Sequence, residues 1–247
     1  MLQRYIFSIL IFLFSLVVYA NELPKLSCEE ILSRVDQAID PLNKGKNIHS
    51  FEINSKTKVS RFGDFELDYQ MIFKSPNKFK TTLKVLTLDI IIIFNGKDGY
   101  LISPLFGKDK LPEKESNSTL QQMQFMNVAT KYSKIFSKAE LAAEKEIVNN
   151  RECYKIHGML PDSFSNIPLT LYVDCENFYI LRYTMEIAAQ NKQALITVNN
   201  DDFTEYDGIF MAKKNSSKVG QTTASNVIQS VKFNVDVDDK IFEISNY

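Results

Sequence analysis

The feature that most constrains the fold is an alternation of apolar and polar side chains in the stretch DFELDYQMIF, residues 64–73. A period of two residues is typical of a β-strand with one buried face. The pattern therefore predicts a half-buried strand. It leaves open whether its apolar row faces a sealed core or the wall of a ligand cavity. The apolar row consists of Phe65, Leu67, Tyr69, Met71 and Phe73.

Ten further runs have strand character, which brings the predicted total to about eleven strands. The turn signals FGD, SPN and NGKDG separate the first five runs and predict an antiparallel meander. One run, LDIIIIF, is apolar at every position after Asp89, which predicts a strand covered on both faces. The ten runs are HSFEINSKTKV, KFKTTLKVL, LDIIIIF, GYLIS, ECYKIHGM, LTLYVDC, FYILRYTMEIA, QALITVNN, GIFMAKK and NVIQSVKFNVDV.

Two segments show helical periodicity. SCEEILSRVDQAID opens with Ser27 and Glu30 in a capping-box arrangement, which predicts a short amphipathic helix. Residues 119–145 are predicted as the one long helix, and its polar flanks favour a mobile lid. The apolar side chains predicted for this lid are Phe125, Val128, Tyr132 and Phe136.

The helices are too small to cover the predicted sheet. Eleven strands of about eight residues give a face of roughly 1,400 Å². The two helices cover only about 560 Å². The sheet must therefore either curl until it closes on itself or leave an apolar concavity.

The N-terminus predicts export. Residues 1–20 combine an early Arg4, an apolar run and a small-residue exit at Ala20, as in a signal peptide. An uncleaved membrane anchor is the alternative, but the apolar run is shorter than the roughly 18 residues that a spanning helix prefers. Lipidation of Cys28 is not expected, because Pro24 and Lys25 separate it from the apolar run. Residues 21–247 are predicted to form a single domain.

An exported chain can form disulfides. The runs around Cys153 and Cys175 predict a hairpin centred near Phe164, in which the two cysteines face each other and form a disulfide. Cys28 is then left over as a buried thiol. The alternative is that Cys153 and Cys175 are two unconnected small apolar residues. A metal site is not predicted, since His49 and His157 are the only histidines that could complete one.

Several function classes are not expected. The formal net charge of −1 offers no basic excess for nucleic acid. The chain lacks G-x-S-x-G, H-E-x-x-H, P-loop and G-x-G-x-x-G motifs, so we predict neither an enzyme nor a cofactor.

The order of these elements resembles the LolA-like, outer-membrane lipoprotein-sorting family. The resemblance rests on a short first helix followed by the phrases KSPNKF, NGKDGYLISP, LTLYVD, YILRYTMEI and DFTEYDGI, and by a long final strand. It implies an α+β fold that is mainly β: a strongly curved antiparallel sheet, open as a half-barrel, with helices on the concave side. It also implies a periplasmic protein with an apolar cavity for acyl chains.

The resemblance and the alternating pattern together predict a non-enzymatic periplasmic carrier that shields the acyl chains of lipids or lipidated proteins. Membrane-associated donor and acceptor proteins would be its further partners. The alternative is an envelope sensor or scaffold that binds a protein partner on the same concave face. The residues predicted to line the cavity are Phe65, Leu67, Tyr69, Met71, Phe73, Leu83, Ile90, Ile92, Tyr183, Met185 and Phe233.

Overall fold

The structure, a computed structural model, describes residues 26–63, 65–105, 107–125, 127–160, 167–189 and 192–247. The predicted signal peptide and Phe164 lie outside these residues. Within them, no helix has the length and apolar character needed to cross a bilayer.

Among the residues that the structure describes, fourteen antiparallel strands form one continuous, open sheet. Their spatial order is β6-β5-β4-β3-β2-β1-β14-β13-β12-β11-β10-β9-β7, and β8 pairs with β9. The strands are β1 (Ser50–Val59), β2 (Leu67–Lys74), β3 (Lys78–Val85), β4 (Leu88–Asn95), β5 (Gly99–Ser103), β6 (Gly107–Lys110), β7 (Lys138–Leu141), β8 (Glu146–Val148), β9 (Arg151–Met159), β10 (Pro168–Asp174), β11 (Ile180–Ala189), β12 (Lys192–Tyr206), β13 (Ile209–Val219) and β14 (Thr222–Phe233).

The first and last strands join two meanders. β1 pairs with β2 on one side and with β14 on the other, so that the two halves of the chain meet at the centre of the sheet. The outermost strands of the path, β6 and β7, do not pair with each other. The predicted fold class, a mainly β open half-barrel with a few helices, is confirmed.

The three strands beyond the predicted eleven are β6, β7 and β8, with four, four and three residues. β6 comes from a stretch that we predicted as a polar break, and β7 lies in the predicted long helix. Alternation over three or four residues is too short to be recognised in a sequence. These strands are instead fixed by backbone pairing with β5 and β9.

In the described part of the chain, three α-helices accompany the sheet: α1 (Cys28–Ile39), α2 (Glu113–Phe125) and α3 (Tyr132–Ile135). The predicted capping box of α1 is present, with both Ser27–Glu30 hydrogen bonds formed.

The prediction of one long helix over residues 119–145 is wrong. α2 ends at Phe125, and the side chain of Asn127 then accepts a hydrogen bond from Ala129 N at 3.0 Å, which forms a turn. The backbone N–H of Tyr132 donates to Asp36 of α1 at 2.6 Å. Such bonds from side chains to the backbone, local at Asn127 and long-range at Asp36, compete with helical hydrogen bonds, so the helix breaks despite the periodic apolar residues.

We call the face of the sheet that carries the helices the concave face. At one end of it, α1 packs through Ile31 and Val35 on the strand residues Ile156 and Leu171. Near the junction of β1 and β14, which we call the seam, a second apolar cluster contains Phe51, Met71, Phe73, Phe94 and Ile209. The core of the protein therefore lies mainly on the concave side.

The strand LDIIIIF is covered on both faces, as predicted. Ile92 and Phe94 pack in the concave cluster. Ile91 and Ile93 point to the opposite, convex face, where Val237 and Phe242 of the C-terminal segment cover them. The C-terminal 3₁₀ turns therefore act as a cover for the outside of this strand.

The cysteine prediction needs correction. The β9–β10 hairpin exists, but its register pairs Cys153 with Asp174 and places Cys175 beside Glu152. A shift of one residue points the two side chains to opposite faces of the sheet. Cys153 is buried, Cys175 and Cys28 are partly exposed, and all three are free thiols in this structure.

This arrangement predicts unequal thiol reactivity. Burial raises the pKa of Cys153 to about 11, so that at pH 8 almost none of it is thiolate, the reactive form. We expect iodoacetamide to modify Cys175 at pH 8 while Cys153 stays unmodified until urea is added. Mass spectrometry of labelled peptides checks this. A Cys153–Cys175 peptide linked by a disulfide would contradict the structure and restore the original prediction.

Candidate functional site

A cavity of about 280 Å³ lies on the concave face at the centre of the sheet. Its floor is formed by six neighbouring strands, β2, β1, β14, β13, β12 and β11. Its roof is the segment between α2 and α3, together with Ile39 at the end of α1. The volume is close to the lower end of the range of about 300–1,000 Å³ that is common for ligand pockets.

The floor is mostly apolar. Ile53, Met71, Ile209 and Ile228 form a nearly fully buried centre that reaches across β1, β2, β13 and β14. Side chains of this kind offer no hydrogen bonds and favour apolar ligand groups. The remaining apolar side chains that line the cavity are Ile39, Phe125, Val128, Ile180, Ile196, Val198, Phe203, Phe210, Met211 and Ala212.

The structure separates the predicted cavity residues into two sets. Tyr69, Met71 and Tyr183 line the cavity. The others lie outside its lining. Of these, Phe65 precedes β2 with 70% of its surface exposed. Phe73 stacks on Phe51 with ring centroids 5.0 Å apart, in a packed region.

The other predicted cavity residues belong to packed regions or to neighbouring parts of the sheet. Met185 is buried in the cluster beneath α1. Ile92 and Phe233 pack against the cluster at the seam. Leu83 and Ile90 are paired with each other on β3 and β4, outside the cavity lining. Leu67 is buried at the start of β2.

The roof contains three of the four residues predicted for the lid. Phe125, Val128 and Tyr132 line the cavity. Phe125 makes edge contacts with Tyr132 and with Tyr183 of the floor, with ring centroids 5.5 and 4.8 Å apart. Phe136 packs elsewhere, against Gly158 of β9. A Cβ atom at Gly158 would lie 2.3 Å from the Phe136 ring, so only glycine leaves room for this contact.

Two aspartates hold the roof to the first helix. Asp36 accepts the backbone N–H groups of Tyr132 and Ser133. Asp40 is almost fully buried, and its carboxylate forms an ion pair with Lys131 at 3.2 Å. The roof is therefore attached to α1 by charged hydrogen bonds as well as by apolar contacts.

We expect the lid to open around these attachments. Amide hydrogen exchange in residues 125–136 should be faster than in β1 and β2 and should slow when an acyl ligand is bound. The roof has a short helix and few backbone hydrogen bonds. By contrast, β1 is hydrogen-bonded to β14 and β2, and β2 to β1 and β3. Exchange that is as slow as in these strands, with and without ligand, would contradict a moving lid.

The cavity is electrically neutral. Burial raises the pKa of Tyr69 to about 12. It raises the pKa values of Tyr132 and Tyr183 as well, so all three phenols stay protonated at neutral pH. Among the described residues, the lining contains no Asp, Glu, Lys, Arg or His. The site thus offers apolar surface and neutral hydrogen-bonding groups.

Sequence reasoning missed the lining contributed by β12, β13 and β14. Val198, Ile209, Met211 and Ile228 come from these strands. The alternation of Ile209 and Met211 in GIFMAKK was a usable signal. What the sequence did not show was that β14 pairs with β1, which brings these late strands beside Tyr69 and Met71.

Comparisons with known proteins agree on the architecture. No family model and no curated protein sequence matches the chain. Solved structures do match over most of its length. A LolA superfamily protein from Nitrosomonas europaea superposes with a TM-score of 0.57 at 14% identity, covering 90% of this chain and 100% of the other. This protein has the LolA-like fold.

Two other solved structures support the same fold. A putative outer membrane lipoprotein-sorting protein domain from Vibrio parahaemolyticus has a TM-score of 0.57 at 9% identity, covering 87% of this chain and 95% of the other. A DUF1329 family protein from Desulfovibrio piger has a TM-score of 0.58 at 11% identity, covering 88% and 96%. At these identities the likeness concerns the LolA-like fold alone.

Proposed function

We propose that this protein is a non-enzymatic carrier that holds the acyl chain of a lipid or lipidated protein in the concave cavity. The observation that carries the proposal is the neutral, mostly apolar cavity between the central strands and the lid. An open sheet with an apolar concave face can receive a chain without separating paired strands. The matching structures, a LolA superfamily protein and a putative outer membrane lipoprotein-sorting protein domain, support the same ligand class.

The energetics suit a reversible carrier. Burial of one methylene group contributes about 0.8 kcal/mol, so a chain of ten buried methylenes gains about 8 kcal/mol before costs. Moving the lid and ordering the chain subtract from this gain. The net affinity is therefore well below the gross gain, as a carrier that must release its ligand requires.

The same proposal assigns the protein to the periplasm and gives it membrane-associated donor and acceptor partners. An acyl chain needs shielding where it crosses an aqueous compartment, because exposed apolar surface is unfavourable in water. The signal-peptide character of residues 1–20 supports export to such a compartment.

A titration with a fluorescent fatty-acyl probe tests the proposal. We expect saturable binding of one probe per chain, and displacement by unlabelled acyl lipid. A polar dye of the same size without an acyl chain is the control. Probe emission that does not change at any protein concentration would contradict the carrier function.

A further inference from the structure

A row of polar side chains crosses the floor of the cavity. Thr57, Asn226, Asn215 and Asn200 are direct cross-strand partners on the adjacent strands β1, β14, β13 and β12. The three asparagines line the cavity. We call these three residues the asparagine row.

The asparagine row has hydrogen-bonding capacity left over. Thr57 donates to the Asn226 carbonyl oxygen at 2.7 Å, which leaves the Asn226 amide nitrogen available. Asn200 donates to the backbone oxygen of Ile180 at 2.9 Å, which leaves its own carbonyl oxygen available. Among the described residues, the Asn215 side chain has no hydrogen-bond partner. Each carboxamide can donate and accept, so the row can serve a carbonyl or a hydroxyl group.

On β1, β13 and β14 the asparagine row lies at one end of the apolar floor. Along β1 the lining changes from Ile53 to Ser55, and along β13 from Met211 to Asn215 and Ser217. β14 runs the opposite way and changes back from Asn226 to Ile228, so the same end is polar on β1, β13 and β14. On β12, apolar Val198 and Ile196 lie beyond Asn200 at that end. A ligand can therefore place an apolar tail along Ile53 and Met211 and a polar group at the asparagine row.

The described residues of the lining include no charged side chain, which limits the kind of polar group that can bind there. A carboxylate buried without a cation costs several kcal/mol, whereas a neutral ester or hydroxyl needs only the hydrogen bonds that amides provide. Lys213, two residues before Asn215 on β13, is partly exposed and does not belong to the cavity wall.

We propose that the asparagine row binds the uncharged glyceryl-ester part of an acyl ligand, so that the cavity prefers acylglycerol esters over free fatty acids. This rests on the proposed carrier function and specifies its ligand class. The acyl tail lies on Ile53, Met71 and Ile209, and the ester carbonyl and hydroxyl groups meet Asn215 and Asn226.

Calorimetric titration at pH 7.5 with 1-monodecanoylglycerol and with decanoate tests the preference, because the two carry the same ten-carbon acyl chain. We expect the ester to bind about tenfold more tightly or better, as one or two net hydrogen bonds require. A peptide carrying a diacylglyceryl-cysteine is titrated under the same conditions. Tighter binding of the peptide than of the monoglyceride identifies a lipidated protein as the source of the ester, and the reverse identifies a free lipid.

The variant Asn215→Leu tests whether the Asn215 side chain contributes to binding of the ester. It should weaken binding of the monoglyceride by about threefold to tenfold. The parent and the control variant Ser216→Leu should bind the monoglyceride, and the apolar dye diphenylhexatriene, equally well. Ser216→Leu is the matched control, since Ser216 is exposed on the same strand and outside the cavity lining. Thermal melting of each variant shows that the fold is retained.

Two results would overturn the ester preference and indicate an anionic ligand. One is that decanoate binds as tightly as the ester, and the other is that Lys213→Met loses decanoate binding. An unchanged monoglyceride affinity in Asn215→Leu would overturn the role of the row. In these cases dye binding still supports the carrier function. If neither the dye nor either lipid binds, the carrier function fails, and the ester preference with it.

Discussion

Met71→Asp is expected to lower the free energy of unfolding by several kcal/mol and to leave little folded protein. Met71 is in the middle of β2 with only 4% of its surface exposed, between Ile53 on β1 and Thr81 on β3. A carboxylate there would lack a charged partner, which is among the most costly changes in a core. Small domains have only about 5–15 kcal/mol of stability to lose. Urea unfolding followed by circular dichroism measures the change.

Met71→Ala separates the loss of packing from the effect of charge. We expect a cost of about 2–5 kcal/mol, because Met71 belongs to a packed cluster with Phe51 and Phe73 as well as to the cavity wall. Met211→Asp is the comparison on the other side of the floor, where the side chain is only half-buried. A Met71→Asp protein as stable as the parent would show that this face is open to water and that the described packing is wrong.

Ile196→Trp is expected to abolish acyl-probe binding while the fold is retained. Ile196 lines the cavity from β12 and is only partly buried, so a larger ring can extend into empty space. It would occupy volume that the ligand needs, in a cavity of about 280 Å³. We expect at least a tenfold loss of affinity, equal to about 1.4 kcal/mol or more. The fluorescent-probe titration measures it.

Leu195→Trp is the matched control for this variant. Leu195 is the preceding residue on the same strand, points to the other face and has 56% of its surface exposed. It should bind the probe as the parent does. Equal affinities for the parent, Ile196→Trp and Leu195→Trp proteins would place the acyl site somewhere other than the cavity.

The strands could be predicted from the sequence because their signal is local. The alternation in Leu67–Phe73 reports burial on one face of β2 directly, and the isoleucines of β4 report burial on both. The ends of the strands were predicted less reliably than their centres. Phe65 continues the alternation in the sequence, but the strand begins at Leu67, and Phe65 is exposed.

The failed predictions depend on contacts between distant residues. The break after α2 is stabilised by Asp36, which is far from Tyr132 in the sequence. The predicted pairing of Cys153 with Cys175 was wrong by one residue of register, because Cys153 pairs with Asp174. A shift of one residue places the two thiols on opposite faces of the sheet. The cavity itself required the pairing of β1 with β14, for which the sequence carries no local signal.

The central claim is that the cavity holds an acyl chain, and native mass spectrometry of the purified exported protein tests it most directly. The account predicts a folded species heavier than the chain by one acyl-bearing lipid, which organic solvent releases and which is missing from Ile196→Trp. Leu195→Trp should retain the lipid. A folded parent protein that carries no lipid, and that takes up none after incubation with acylglycerols or a lipidated peptide, would contradict the account.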